Sequence, residues 1–304
     1  MIDSRSRWDP GRVYSANKLR AVMRLIRIEH TIFSLPFAYV GIALSGYACT
    51  PKIVLLSTLA VFGLRSASMA FNNIADFEID RKNPRTSARP LISGALSFKD
   101  AWTVVVIGSL LYFLSALLLN LYAFAFSPIL YVIAMSYPYA KRLHPFPHIH
   151  LGLALGFVVF GGAVAASGGM AHSFYKVIIS VPWLYLLGVT FWVAGFDTIY
   201  SIMDLEFDRK EGLGSIPALI GPKGAVFASS LFYAFSILSF SLAIRSYALG
   251  MISTASTLFS AFLMLMQIIL VSSNSEKIPL AFNLNLVVGV IVSVGVLIEK
   301  AMGT

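Results

Sequence analysis

The sequence contains a single cysteine, Cys49. An intramolecular disulfide is therefore impossible, and metals held by thiolates are not expected. Acids are also scarce, fourteen Asp and Glu against twenty-three Lys and Arg in 304 residues. The five histidines, His30, His144, His148, His150 and His172, show no metal-ligand spacing beside a carboxylate cluster and read as interfacial or loop side chains. No low-complexity segment or long polar linker divides the chain, which predicts one domain over 1–304, with 1–30 as a basic N-terminal segment. No A-x-A-like cleavage site trails the first apolar stretch, so no removable signal peptide is expected.

What the chain has instead is apolar length. It is 58% hydrophobic, and its mean hydropathy of +0.80 lies outside the range of soluble domains. Stretches long enough to cross a bilayer fall at 31–49, 53–77, 102–120, 121–140, 149–168, 177–200, 223–243, 249–271 and 279–298. The expectation is an all-α integral membrane protein of nine transmembrane helices around a central cavity. Only Asn120 and its neighbours mark a turn between the third and fourth spans.

Lysine and arginine are distributed unevenly about these spans. One side receives Arg5, Arg7, Arg12, Lys18, Arg20, Arg24 and Arg27, then Arg81, Lys82, Arg85, Arg89, Lys99, Lys141, Arg142, Arg209, Lys210 and Lys223. The other is assigned Lys52, Lys176, Arg245, Lys277 and Lys300. The positive-inside rule places the first group in the cytoplasm. The net charge of +9 then has a membrane explanation, and no nucleic-acid partner is implied.

Two acidic clusters stand at the ends of apolar segments: Asn72, Asp76 and Asp80 in NNIADFEID, and Asp197, Asp204 and Asp208 in DTIYSIMDLEFD. At about 100° per residue each set falls on one helix face. Asp76 and Asp80 repeat the spacing of Asp204 and Asp208, and each pair is followed by two bases, Arg81-Lys82 and Arg209-Lys210. Buried carboxylates are costly unless compensated, and a divalent cation compensates them. Magnesium takes hard oxygen ligands and is commonly shared between carboxylates and substrate phosphates. Two such clusters facing each other would hold a diphosphate through bridging Mg²⁺, with Lys82, Arg85, Arg89, Lys141, Arg142, Arg209 and Lys210 neutralising its remaining charge. Acids without neighbouring bases would instead suggest a cation pathway.

Four ordered motifs carry a family resemblance: Asn72-x3-Asp76-x3-Asp80, Arg89-Pro90-Leu91-Ile92-Ser93-Gly94, Tyr137-Pro138-Tyr139-Ala140-Lys141-Arg142, and Asp197-x2-Tyr200-x3-Asp204-x3-Asp208. Together they resemble the signatures of the UbiA family of intramembrane aromatic prenyltransferases, from Arg27 to about Gly221. The resemblance implies a polyprenyl diphosphate donor ionised to an allylic cation, which an electron-rich aromatic acceptor attacks. It implies metal-side roles for Asn72, Asp76, Asp80, Asp204 and Asp208 on two Mg²⁺ ions, with Asp76 and Asp204 essential to catalysis. Lys82, Arg89, Lys141, Arg142 and Lys210 would contact the departing diphosphate. The allylic cation needs π faces in a dry cavity, for which Tyr139, beside the diphosphate, and Tyr200, toward the acceptor, are the candidates.

Arg65 is the one basic residue inside a predicted span and shares the helical phase of Asn72. It reads equally as an anchor for an acceptor carboxylate or as a salt-bridge partner of Asp76 or Asp197. Arg27 is a second carboxylate candidate, although a positive-inside flank explains it as well. Asp197, about two turns deeper than Asp204, either serves the acceptor as a proton acceptor or hydroxyl partner, or holds Arg65. Gly152, Gly156, Gly161, Gly162 and Ala166 read as close helix packing. Asn73 departs from the family pattern, which has aspartate there.

The segment IEHTIFSLPFA, leading into the first span, resembles the 4-hydroxybenzoate polyprenyltransferase branch, which implies an aromatic acid as acceptor, quinone biosynthesis as context and membrane lipid as surroundings. The rivals are a geranylgeranylglyceryl phosphate prenyltransferase of the same fold and an ion-coupled transporter using the aspartates as a relay. A CDP-alcohol phosphotransferase is disfavoured, because the D-G-x2-A-R signature is absent.

Overall fold

The computed structural model describes residues 10–303. Arg5 and Arg7 lie outside the described residues, as do the side chains of Arg12 and His30. Among the described residues there are helices and turns and no strand. The helices are α1 (Pro10–Ile26), α2 (Ile28–Leu44), α3 (Pro51–Ala75), α4 (Phe77–Lys82), α5 (Phe98–Leu119), α6 (Leu121–Leu143), α7 (Pro147–Ser167), α8 (Phe174–Ile179), α9 (Trp183–Tyr200), α10 (Leu205–Glu211), α11 (Ile216–Ser246), α12 (Met251–Ser273) and α13 (Ile278–Ala301).

Among the described residues eight helical segments are long and apolar enough to cross a membrane, as an integral membrane protein requires. The ninth expected span, 31–49, corresponds to α2, whose seventeen residues include the apolar run Phe33–Leu44. At 1.5 Å per residue α2 is roughly 25 Å long, a little less than the hydrocarbon thickness. The stretch 177–200 is broken at Pro182, between α8 and α9. Asn120 does separate α5 from α6. Its side-chain oxygen accepts from the Ala123 amide at 2.8 Å, and its amide nitrogen donates to Val164 and Ala165 carbonyls on α7.

The expected small-residue packing is present. A Cβ at Gly162 would collide with the Ala38 carbonyl oxygen, and one at Gly152 or Gly156 with Thr190, so α7 lies tightly against both α2 and α9. Gly161 differs, facing open space next to Leu130. Between α3, α5, α6 and α7 lies a mostly apolar cavity enclosing about 980 Å³ of space, its open mouth included.

The chain alternates direction through these helices, so the α3–α5, α6–α7, α9–α11 and α12–α13 connections share one end of the bundle. The aromatic rings of Tyr200, at the end of α9, and Phe282, at the start of α13, are 4.7 Å apart there. Lys277, on the α12–α13 turn, therefore sits on the face of the acidic clusters, and its assignment to the opposite side is corrected. The lysine and arginine asymmetry becomes larger as a result.

Candidate active site

The first acidic cluster straddles the end of α3. Helix α3 stops at Ala75, and Asp76 leaves helical geometry with φ −91° and ψ 3°. The i to i−4 ladder nevertheless continues, with the Asp76 amide on the Asn72 carbonyl at 2.9 Å and the Asp80 amide on the Asp76 carbonyl at 2.8 Å. The interruption leaves the one-face register of Asn72, Asp76 and Asp80 intact.

The second cluster departs from the straight-helix expectation. Residues Ser201–Asp204 form a turn of 3-10 helix between α9 and α10. At three residues per turn this adds about 80° of rotation between Asp197 and Asp204 relative to a continuous α-helix. Asp204 and Asp197 consequently meet different partners.

Asp76 is almost fully buried, and its carboxylate receives Lys141 Nζ at 3.0 Å, Arg142 Nη2 at 2.9 Å and Asn72 Nδ2 at 3.1 Å. Arg142 also donates to the Ala75 carbonyl at 2.6 Å. Charge-assisted donors of this kind offset the desolvation of a buried carboxylate. Asp80, on α4, is paired with Arg89. Burial pushes the Asp80 carboxyl above its ordinary value, and Arg89 pulls it back.

The loop after α4 then crosses to the second cluster. Asn83 donates to Asp204 Oδ1 at 3.1 Å, Arg85 Nε donates to the same oxygen at 2.8 Å, and Arg85 Nη2 is bonded to Oδ2. Arg85 also donates to the Tyr200 hydroxyl at 3.1 Å, and Lys82 pairs with Glu211 at 2.6 Å. The two acidic clusters face each other across these links. Asp208 is buried, and burial pushes its carboxyl up to about 6.

Of the remaining sequence-derived residues, Tyr139 lies under the Arg142 guanidinium, 5.1 Å from its ring centre. Tyr200 lies under Arg85 at 5.4 Å. Lys210 is exposed on α10. Arg27 occupies the α1–α2 junction with φ 45° and lies within electrostatic reach of Arg89, Tyr200 and Arg85. Asn73 turns back on its own helix, donating to the Met69 carbonyl at 2.8 Å, and so does not join the carboxylate face.

Arg65 does not pair with Asp76 or Asp197. Asp76 is taken by Lys141 and Arg142, and Asp197 by His148, whose Nδ1 is 2.7 Å from Oδ2. The Nε of Arg65 is buried without a hydrogen-bond partner among the described residues. Its side chain lines the cavity together with Tyr137, itself within electrostatic reach of Asp197 and Asp76. The salt-bridge alternative for Arg65 is thereby overturned, because Lys141 and Arg142 occupy one carboxylate and His148 the other.

The reading of His148 as a loop or interfacial side chain is also corrected. It is the second residue of α7, 2% exposed, and is held between Asp197 and the Ile216 amide. Nothing in its local sequence signals this, since its partners are 49 and 68 residues away. Asn83 is likewise absent from the sequence-derived set.

All members of the two clusters offer oxygen, which suits magnesium. Among the described residues no three His, Cys, Asp or Glu side chains converge as a ready-made metal cage.

The model of the UbiA prenyltransferase family matches residues 34–288. The structure of a UbiA homologue from Aeropyrum pernix K1 is 54% identical, covers 90% of this chain and 98% of that one, and superposes with a TM-score of 0.86. A UbiA homologue from Archaeoglobus fulgidus bound to DMAPP and Mg²⁺ is 19% identical over 90% of this chain and 99% of that one, with a TM-score of 0.63, a likeness of fold. A 4-hydroxybenzoate octaprenyltransferase from Francisella tularensis subsp. novicida (strain U112) is 35% identical over 171 residues, 56% of this chain. The alignment spans 57% of the length of that relative.

Proposed function

The chain belongs to the UbiA prenyltransferase family, and we propose that it transfers a polyprenyl group from a polyprenyl diphosphate to an aromatic acid such as 4-hydroxybenzoate, with Mg²⁺, at the cytoplasmic face. One observation carries this reading: two clusters of oxygen ligands are ringed by bases beside an apolar cavity lined by Arg65, whose Nε has no hydrogen-bond partner among the described residues. Family membership makes the protein a prenyltransferase and sets the transporter aside.

Asn72, Asp76 and Asp80 would hold one Mg²⁺, and Asp204 and Asp208 a second. Bound there, the metal would neutralise the diphosphate and ease its departure. Lys141, Arg142, Arg89 and Lys82, now on carboxylates, would turn their donors onto diphosphate oxygens, with Arg85 as a further candidate and Lys210 steering from α10. Tyr139 and Tyr200 would offer π faces to the allylic cation, and the apolar cavity walls keep water from it. Arg65 would receive the acceptor carboxylate, with Arg27 a second candidate, and Asp197 would take the proton released on rearomatisation. The A. fulgidus homologue bound to DMAPP and Mg²⁺ and the Francisella relative support donor, metal and acceptor class. The alternative glyceryl phosphate ether acceptor differs in charge and in lacking a ring.

The test incubates membranes containing the protein with radiolabelled geranyl and longer diphosphates and a panel of acceptors, with Mg²⁺ or EDTA. The reading expects Mg²⁺-dependent labelling of an aromatic acid. Labelling of a glyceryl phosphate ether alone, or undiminished labelling in EDTA, would overturn it.

A further inference from the structure

We propose that His148 is the positioning residue that fixes Asp197 as a carboxylate aimed at the acceptor. This rests on the role given to Asp197 above. The geometry is specific. Ile216 presents an amide N–H to His148 Nε2 at 3.3 Å, and an amide nitrogen can only donate. Nε2 must therefore carry a lone pair, which leaves the ring proton on Nδ1, 2.7 Å from Asp197 Oδ2. The Ile216 amide on one nitrogen and Asp197 on the other set this tautomer in a ring that is 2% exposed.

Two consequences follow for chemistry. The Nδ1–H bond engages Oδ2 and leaves Oδ1 for a ligand; the Asp197 side chain retains 17% exposure and lies within reach of cavity-lining Tyr137. Moreover, His148 cannot relay a proton, because Nε2 is already occupied as an acceptor. In the rearomatisation step the C–H bond at the prenylated ring carbon breaks and its electron pair returns to the ring. The proton goes to Asp197 Oδ1, giving a carboxylic acid, and His148 keeps its own proton throughout. A merely structural role would lie in the other arm, where the Ile216 amide ties α7 to the first residue of α11.

Two isosteres separate the arms. Asparagine places its Nδ2 near the position of Nδ1 and keeps the donor to Asp197. Glutamine places its Oε1 near Nε2 and keeps the acceptor for Ile216. In steady-state assays of the purified full chain, His148→Asn is expected to stay within about threefold of the wild-type kcat. His148→Gln is expected to lose roughly 10- to 100-fold with donor KM unchanged, as for loss of a group that orients a functional ligand. His148→Gln added to Asp197→Asn should cost little more than Asp197→Asn alone. Loss in the asparagine variant with retention in the glutamine variant, or equal loss in both, would overturn the proposal. Histidine ¹⁵N NMR in detergent decides the geometry without turnover. The signal missing from His148→Asn should show a neutral ring protonated at Nδ1, and an imidazolium or an Nε2–H tautomer would refute the assignment. Absence of aromatic-acid transfer by the wild type would instead defeat the functional reading, with the NMR result still standing on its own.

Discussion

Replacing Arg65 by methionine should move stability and acceptor recognition in opposite directions. Methionine keeps most of the length and apolar volume of the side chain while deleting the charge. In the ligand-free protein the Nε of Arg65 is buried with no hydrogen-bond partner among the described residues, and the carboxylates that would neutralise the guanidinium are engaged by Lys141, Arg142 and His148. An unsatisfied buried donor costs about 1–3 kcal/mol, so Arg65→Met should melt at the same temperature as wild type or higher. With an acceptor carboxylate seated on it, the same group forms a buried, charge-assisted pair. Truncating one member of such a pair costs about 2–5 kcal/mol, which at 1.4 kcal/mol per tenfold is about 30-fold to several thousand-fold in acceptor affinity. The assay is acceptor KM at saturating prenyl diphosphate, alongside thermal unfolding of both proteins in one detergent. An unchanged KM for 4-hydroxybenzoate would refute the anchor role. A large drop in melting temperature would show that the guanidinium has a structural partner.

Asp76→Asn and Asp204→Asn should each lower turnover by at least about 100-fold, the scale of losing one preorganised electrostatic contact to the reacting group, and wild-type turnover in either would end the metal assignment. Adding EDTA to the wild type should abolish turnover and excess Mg²⁺ restore it, whereas activity in EDTA would require a metal-free route. Arg85→Gln frees Asp204 from its guanidinium, and donor KM should rise about tenfold with acceptor KM unchanged, on the scale of one charge-assisted contact; an unaltered donor KM would assign Arg85 to the loop alone. Gly162→Val drives a side chain into the Ala38 carbonyl oxygen and should destabilise the protein by about 1–3 kcal/mol, seen as a lower melting temperature; unchanged melting would mean that α2 and α7 separate freely.

Membrane character, most helix positions and the one-face register of Asn72, Asp76 and Asp80 were legible because they depend on local quantities. Apolar length reads out spans, and spacing reads out phase wherever the helix is regular, as the unbroken ladder from Asn72 to Asp80 shows. The reading failed where regularity did. The 3-10 turn Ser201–Asp204 separated Asp197 from Asp204 by a rotation that a constant 100° per residue does not contain. It also failed where topology was miscounted, at Lys277.

What the sequence by itself determined is the chemistry on offer: oxygen ligands, bases beside them, and an apolar medium in which unpaired charge is expensive. Which charge meets which was decided by the tertiary structure alone. Asp76 lies on Lys141 and Arg142, Asp80 on Arg89, Asp204 on Arg85, and Asp197 on His148. Several bases and several acids compete for contacts of similar strength, and only the packing of α3, α6, α7 and α9 fixes the distances that select among them. Arg65 has no carboxylate partner among the described residues, a result of the fold that no spacing in the chain could have shown.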